Sequence, residues 1–174
     1  DENDLLPLGR ELAPGRALLS PRGQVMEGPM PRFFRRLAEG VFDVADVRRR
    51  AADLAAGVEE ARRHYGLEKP MALGFSNGAN IAAALLLLHP GTLAGAVLLR
   101  AMEPLRTAPE VDLAGTEVLL VSGAMDPIVA ASNGKRLAAT LAAAGAHVEH
   151  ETLPTGHGLT QADMTLTRRW IARR

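Results

Sequence analysis

Apolar residues fall along the chain in short continuous runs, separated by longer stretches in which they recur every three or four positions. The short runs predict strands at Ala17–Ser20, Met71–Phe75, Gly95–Arg100, Glu117–Ser122 and Val148–Leu153. Most are apolar throughout, as strands are when both sheet faces are covered. The run at Val148–Leu153 alternates more and carries His150 and Glu151, which predicts a sheet edge. The longer rhythm is clearest over Asp46–Tyr65, where Val47, Ala51, Leu54, Val58, Ala61 and Tyr65 fall on one helical face. Asp43 is the predicted N-cap, and Gly66 with Pro70 beyond it supplies the stop. Asn77–Leu88 is apolar nearly all round and reads as a buried helix, whereas Val129–Ala144 and Gln161–Ala172 are amphipathic and should pack on the outside of the sheet. Strand alternating with helix predicts the α/β class, with a mostly parallel sheet and helices on both faces.

One stretch breaks the alternation. Gly23–Gly40 follows a predicted strand, holds Met26, Met30, Pro31, Phe33 and Phe34, and is too long for a simple connection. Long loops in compact domains are often functional. The 174 residues suffice for one sizeable core and are too few for two ordinary domains, so residues 1–174 read as a single domain. The 20 basic and 20 acidic residues cancel, which removes any global attraction to nucleic acid or an anionic membrane and favours a small-molecule partner. The absence of cysteine excludes disulfides, thiolate zinc sites and cysteine nucleophiles, and suits a cytoplasmic location. The longest apolar run, Ile81–Leu88, is far short of the roughly 20 residues that cross a bilayer. The opening Asp1-Glu2-Asn3-Asp4 does not have the basic and apolar regions of a signal peptide.

The chemistry centres on Gly74-Phe75-Ser76-Asn77-Gly78, a Gly-x-Ser-x-Gly stretch that closes a predicted strand and opens a predicted helix. That context matters more than the pattern. A serine on such a turn is lifted above the sheet, the flanking glycines let strand and helix approach, and the Asn77 N–H at the helix start faces the place where an oxyanion would form. A serine hydroxyl needs a base, and the base needs an orienting group. Asp126 follows one predicted strand and His157 the next, so both are expected at the carboxyl edge of the sheet with Ser76. The competing residues fit less well. Asp163 falls in the last helix, and Asp112 precedes its strand. His64 and His89 stand at helix ends, and His147 and His150 lie on opposite faces of a strand, an unconvincing metal pair. The dinucleotide, phosphate-loop and His-Glu-x-x-His motifs are all missing.

With those residues in view, Gly74-Phe75-Ser76-Asn77-Gly78-Ala79-Asn80, Met30-Pro31-Arg32-Phe33-Phe34-Arg35-Arg36, Gly123-Ala124-Met125-Asp126-Pro127 and Gly156-His157-Gly158-Leu159-Thr160 resemble the phospholipase/carboxylesterase family of α/β hydrolases. The nearest branch is that of small bacterial carboxylesterases associated with hydroquinone resistance, with acyl-protein thioesterases more distant. The resemblance implies an α/β-hydrolase fold and cofactor-free, metal-free hydrolysis of small or short-chain carboxylic esters, with Ser76, Asp126 and His157 matching the family triad and Asn77 giving one oxyanion N–H. Met30, Phe33, Phe34, Met102 and Leu159 are candidates for an apolar substrate pocket, with ordinary core as the competing reading of each. Relative to the family, a strand ending in His-Gly and a Gly-rich turn is absent ahead of Asp1, and with it the usual second oxyanion donor. Its place between the Ala17 and Met71 strands would have to be filled by rearrangement or by a neighbouring chain, the latter making the expected homo-oligomer; the alternative is that the sequence is a fragment. Two other readings stay open: a hydrolase-like scaffold that binds without turnover, and an acyl-thioesterase.

Overall fold

The computed structural model describes all 174 residues. In chain order the elements are α1 (Leu6–Leu12), β1 (Val25–Glu27), β2 (Met30–Arg32), β3 (Arg36–Ala38), β4 (Val41–Phe42), α2 (Val44–Tyr65), β5 (Met71–Phe75), α3 (Asn77–Leu88), β6 (Gly95–Leu99), β7 (Glu117–Gly123), α4 (Ala131–Ala143), β8 (His147–Leu153) and α5 (Gln161–Ile171). The main sheet has the order β5-β6-β7-β8, and all of its pairs are parallel. Phe75, Leu99, Val121 and Glu151 stand abreast near the carboxyl end.

Burial on both faces explains why the central strands are apolar throughout. Ala96, Leu98, Val118 and Leu120 pack with Val47 and Ala51 of α2, the apolar side chains of α3, and Leu137 and Leu141 of α4. The alternate residues Val97, Leu99, Leu119 and Val121 pack on the opposite face with Trp170 of α5. Successive side chains of a strand point to opposite faces, so each central strand serves two cores. The edge strand β8 is only partly buried, in keeping with its alternating sequence. Helix α2 begins where Asp43 accepts from the Asp46 N–H at 3.1 Å and ends at Gly66, whose φ of 64° suits glycine. No helix is long and apolar enough to cross a membrane.

Two expectations change. Ala17–Ser20 forms no strand, and Leu18 and Leu19 are 41% and 53% exposed. A strand needs a hydrogen-bonding neighbour, and the outer side of β5 has no strand beside it from this chain. The Gly23–Gly40 stretch is not a plain loop but carries an antiparallel hairpin, β1-β2, and the first strand of a second, β3-β4. Gly28 and Gly40, at φ of 58° and 70°, turn the two hairpins. Between them Phe34 is fully buried, edge-on to Phe42 at 4.9 Å, and the Arg35 N–H donates to the buried Asp46 carboxylate at 2.7 Å. These contacts fasten the hairpin pair to the start of α2.

The fully buried Leu120 should not tolerate truncation. Leu120→Ala is expected to cost about 2–5 kcal/mol in urea unfolding, and Leu37→Ala on the exposed β3 less than about 0.5 kcal/mol.

Candidate active site

Strand β5 enters α3 through Ser76, which has φ 51° and ψ −113°, a conformation that costs a non-glycine residue about 1–3 kcal/mol. Two backbone bonds hold it there. The Ser76 N–H donates to Leu99 O at 2.8 Å, and the Asn80 N–H donates to Ser76 O at 2.9 Å. The two glycines of the motif are unequal. A Cβ on Gly74 would come within 2.6 Å of the Ala79 nitrogen and the Gly78 oxygen, so strand and helix could not meet at that distance. A Cβ on Gly78 would meet only the Phe33 ring, at an ordinary 3.8 Å. Packing therefore demands the first glycine and not the second.

Parallel strands deliver three polar side chains to one edge. Ser76 follows β5, Asp126 follows β7 and His157 follows β8. His157 Nδ1 lies 2.8 Å from Asp126 Oδ2, and His157 Nε2 lies 3.1 Å from Ser76 Oγ. The Asp126 side chain is fully buried. Burial pushes its carboxyl up, but the Val129 N–H, His157 and the Ile128 N–H together hold it below the ordinary range. Those backbone donors reach Asp126 Oδ1 at 2.9 and 2.8 Å. An ionised carboxylate can only accept, so the imidazole proton sits on Nδ1. Nε2 is thereby free to accept from the Ser76 hydroxyl. Phe75 flanks the imidazole, with ring centroids 5.3 Å apart.

Asn77 opens α3, where first-turn N–H groups have no partner within the helix. Its side chain does a second job, accepting the Phe33 N–H at 2.8 Å and so pinning the β2 end over the elbow. One turn on, the buried Asn80 accepts the Met102 N–H at 2.8 Å. A cavity of about 30 Å³ opens beside Ser76, and its walls include Phe34, Met102, Ile128 and Val129. Arg32 and Arg36 also line it and share Glu27 as ion-pair partner. Met30, Phe33 and Leu159 are not among its walls. Met30 is 53% exposed on its hairpin, Phe33 packs at the margin of the α3 core, and Leu159 packs against the Trp170 cluster on the other sheet face.

Four of the competing residues are otherwise engaged. Asp163 pairs with the buried Arg100 at 2.8 Å, His147 with Glu117 at 3.0 Å, and His150 with Ser122 at 3.0 Å. His64 stacks edge-on with Tyr65. No group of three or more His, Cys, Asp or Glu side chains is placed to hold a metal ion. The roles of Asn80, Arg32 and Arg36 went unread in the sequence. For Asn80 a signal existed, since it and Asn77 are the two amides, three apart, in an otherwise apolar helix.

Two outcomes test this geometry. Gly74→Ala should lose about 1–3 kcal/mol or more in denaturant unfolding, whereas Gly78→Ala should be neutral or slightly stabilising. The second concerns acid. Because the folded-state pKa of Asp126 is lowered, its contribution to stability is complete above the unfolded carboxyl value of about 4 and is lost as pH falls through the lower folded value. Melting temperatures recorded across the acid range should therefore fall less steeply in Asp126→Asn than in the parent.

Comparison with known proteins agrees with this architecture. The family model described as alpha/beta hydrolase fold matches residues 27–155. MhqD of Bacillus subtilis (strain 168), which its name classes with the hydrolases, is 40% identical over 172 residues, covering 98% of this chain and 86% of MhqD. The crystal structure of the Bacillus cereus carboxylesterase superposes with a TM-score of 0.96 at 39% identity, over 99% of this chain and 82% of that one. A carboxylesterase from Mesorhizobium loti superposes with a TM-score of 0.95 at 35% identity, over 100% and 84% of the two chains. By sequence, by family model and by fold, the chain belongs to the α/β hydrolases, among relatives of the carboxylesterase type.

Proposed function

We propose that the protein hydrolyses small carboxylic esters through an acyl-enzyme formed on Ser76. The observation that carries this reading is the unbroken relay from Asp126 through His157 to Ser76, with links of 2.8 and 3.1 Å. Ser76 Oγ attacks the ester carbonyl carbon while His157 Nε2 takes the hydroxyl proton. Asp126 keeps the imidazole in the required tautomer and favours the imidazolium that forms. The tetrahedral oxyanion is met by the Asn77 N–H and the positive end of α3. When the intermediate collapses, the ester C–O bond breaks and His157 returns the proton to the departing alcohol. A water then repeats the sequence against the acyl group, releasing the carboxylic acid and restoring Ser76.

The choice of a small acyl group is supported by the narrowness of the cavity beside Ser76, about 30 Å³. Its walls are tied down by the Asn77 and Asn80 amides, so a long acyl chain would have to lie outside it.

Ser76→Ala should abolish turnover of p-nitrophenyl butyrate, and Asp126→Asn should lower kcat by about 10³-fold or more through the wrong imidazole tautomer. A fluorophosphonate should label Ser76 in the parent protein. An unlabelled Ser76 in folded protein would overturn the reading in favour of a scaffold that binds without turnover.

A further inference from the structure

The strand that steadies the nucleophile also sends a side chain to the base. Leu99 closes β6, and its carbonyl accepts the Ser76 N–H at 2.8 Å. The next residue, Arg100, leaves the sheet at φ 56°, with its own N–H donating to Val121 O at 2.9 Å. A non-glycine residue in this conformation carries a backbone cost that its surroundings must offset. The offset is visible in the side chain, which is completely buried. Nε donates to Gly156 O at 3.0 Å, while Nη2 donates to Thr155 Oγ1 at 2.9 Å and to Gly158 O at 3.3 Å. The outer nitrogens also form a two-pronged pair with Asp163, at 2.8 and 3.0 Å.

Gly156 and Gly158 are the neighbours of His157 on either side. The loop that carries them has no regular secondary structure, so no helix or sheet ladder fixes the imidazole. Asp163 anchors the other end of the clasp. It sits in the first turn of α5, accepting the Thr160 N–H at 2.8 Å and the Thr160 hydroxyl at 2.7 Å. A buried ion pair is weak evidence for stability, because well-packed apolar residues of similar volume often do as well or better. Apolar residues could not hold two carbonyls and a hydroxyl around a histidine. The planar fork of a guanidinium can.

We propose that Arg100 is a positioning residue for His157, its buried guanidinium gripping the loop on both sides of that histidine and so setting the imidazole where it meets Ser76 and Asp126. The assignment rests on the esterase reading above for its kinetic readout. It also ties elbow and base to a common mount, the end of β6.

Arg100→Lys separates the grip from the charge, since an ammonium can still face Asp163 but cannot span Gly156, Thr155 and Asp163 together. With p-nitrophenyl butyrate, R100K is expected to fold, to lose about 10-fold or more in kcat, and to keep KM within about twofold, as misplacement of a reacting group predicts. Fluorophosphonate labelling of Ser76 should slow in proportion. The far-downfield NMR resonance of the imidazole proton shared with Asp126 should shift or broaden. A folded R100K with parental kcat, labelling rate and imidazole resonance overturns the proposal. If R100K does not fold, Thr155→Val decides. It is nearly isosteric, lies on a partly exposed loop and removes one contact of the grip, so kcat should drop about two- to fivefold with an altered resonance. Parental values in T155V would then overturn the assignment. Absence of labelling in the parent would instead strike the esterase reading, and the resonance would still report on the role of Arg100.

Discussion

Four parallel strands, the central two buried on both faces, constrain everything else in this molecule. Parallel pairing points every strand the same way, so the segments leaving β5, β7 and β8 emerge at one edge. The in-register row Phe75, Leu99, Val121 and Glu151 brings those exits level. Burial on both faces then selects the sequence. Leu98 and Leu120 must suit α3 and α4, while Leu99 and Val121 must suit Trp170, and a register slip of one residue would exchange the two sets. The spacing of Ser76, His157 and Asp126 thus inherits its accuracy from two apolar cores that hold none of these side chains.

Accuracy at the edge still requires a departure from regular structure. The two residues other than glycine with positive φ are Ser76 and Arg100, and both sit where a sheet strand ends. They are coupled through Leu99, whose carbonyl receives Ser76 while its successor turns away toward the histidine loop. Local strain and buried charge, each unfavourable alone, are confined to this corner. They are sustained there by hydrogen bonds from β7, from the loop after β8 and from the start of α5.

How much of this was legible in the sequence follows from how local each signal is. Asp43 and Gly66 bound α2 in the sequence because capping depends on a few adjacent residues. Strands β6 and β7 were legible because continuous apolar runs mark double burial, and the edge strand β8 because its residues alternate. Ser76, Asp126 and His157 were singled out because position after a strand is itself sequence information. Ala17–Ser20 misled for the same reason, since an apolar run says nothing about whether a partner strand stands beside it. The two hairpins between Val25 and Phe42 were hidden by strands of two or three residues, too short for a period to show. Arg100 was hidden more deeply. It looked like the end of a strand, and its partners around His157 lie 55 to 63 residues away. Of the pocket candidates, Phe34 and Met102 reach the cavity, whereas Leu159 faces the opposite core. Hydrophobicity alone does not say on which side of a sheet a loop residue will land.

The inequality of the two elbow glycines has a practical side. The first is locked by backbone on all sides, but the second stands beside open space that ends at the Phe33 ring. A methyl at position 78 would meet the Phe33 ring at an ordinary contact distance, two residues from the serine and away from the cavity walls. The helix side of the elbow therefore tolerates a change of residue that its strand side does not, so the turn that presents Ser76 is constrained by packing from one direction alone.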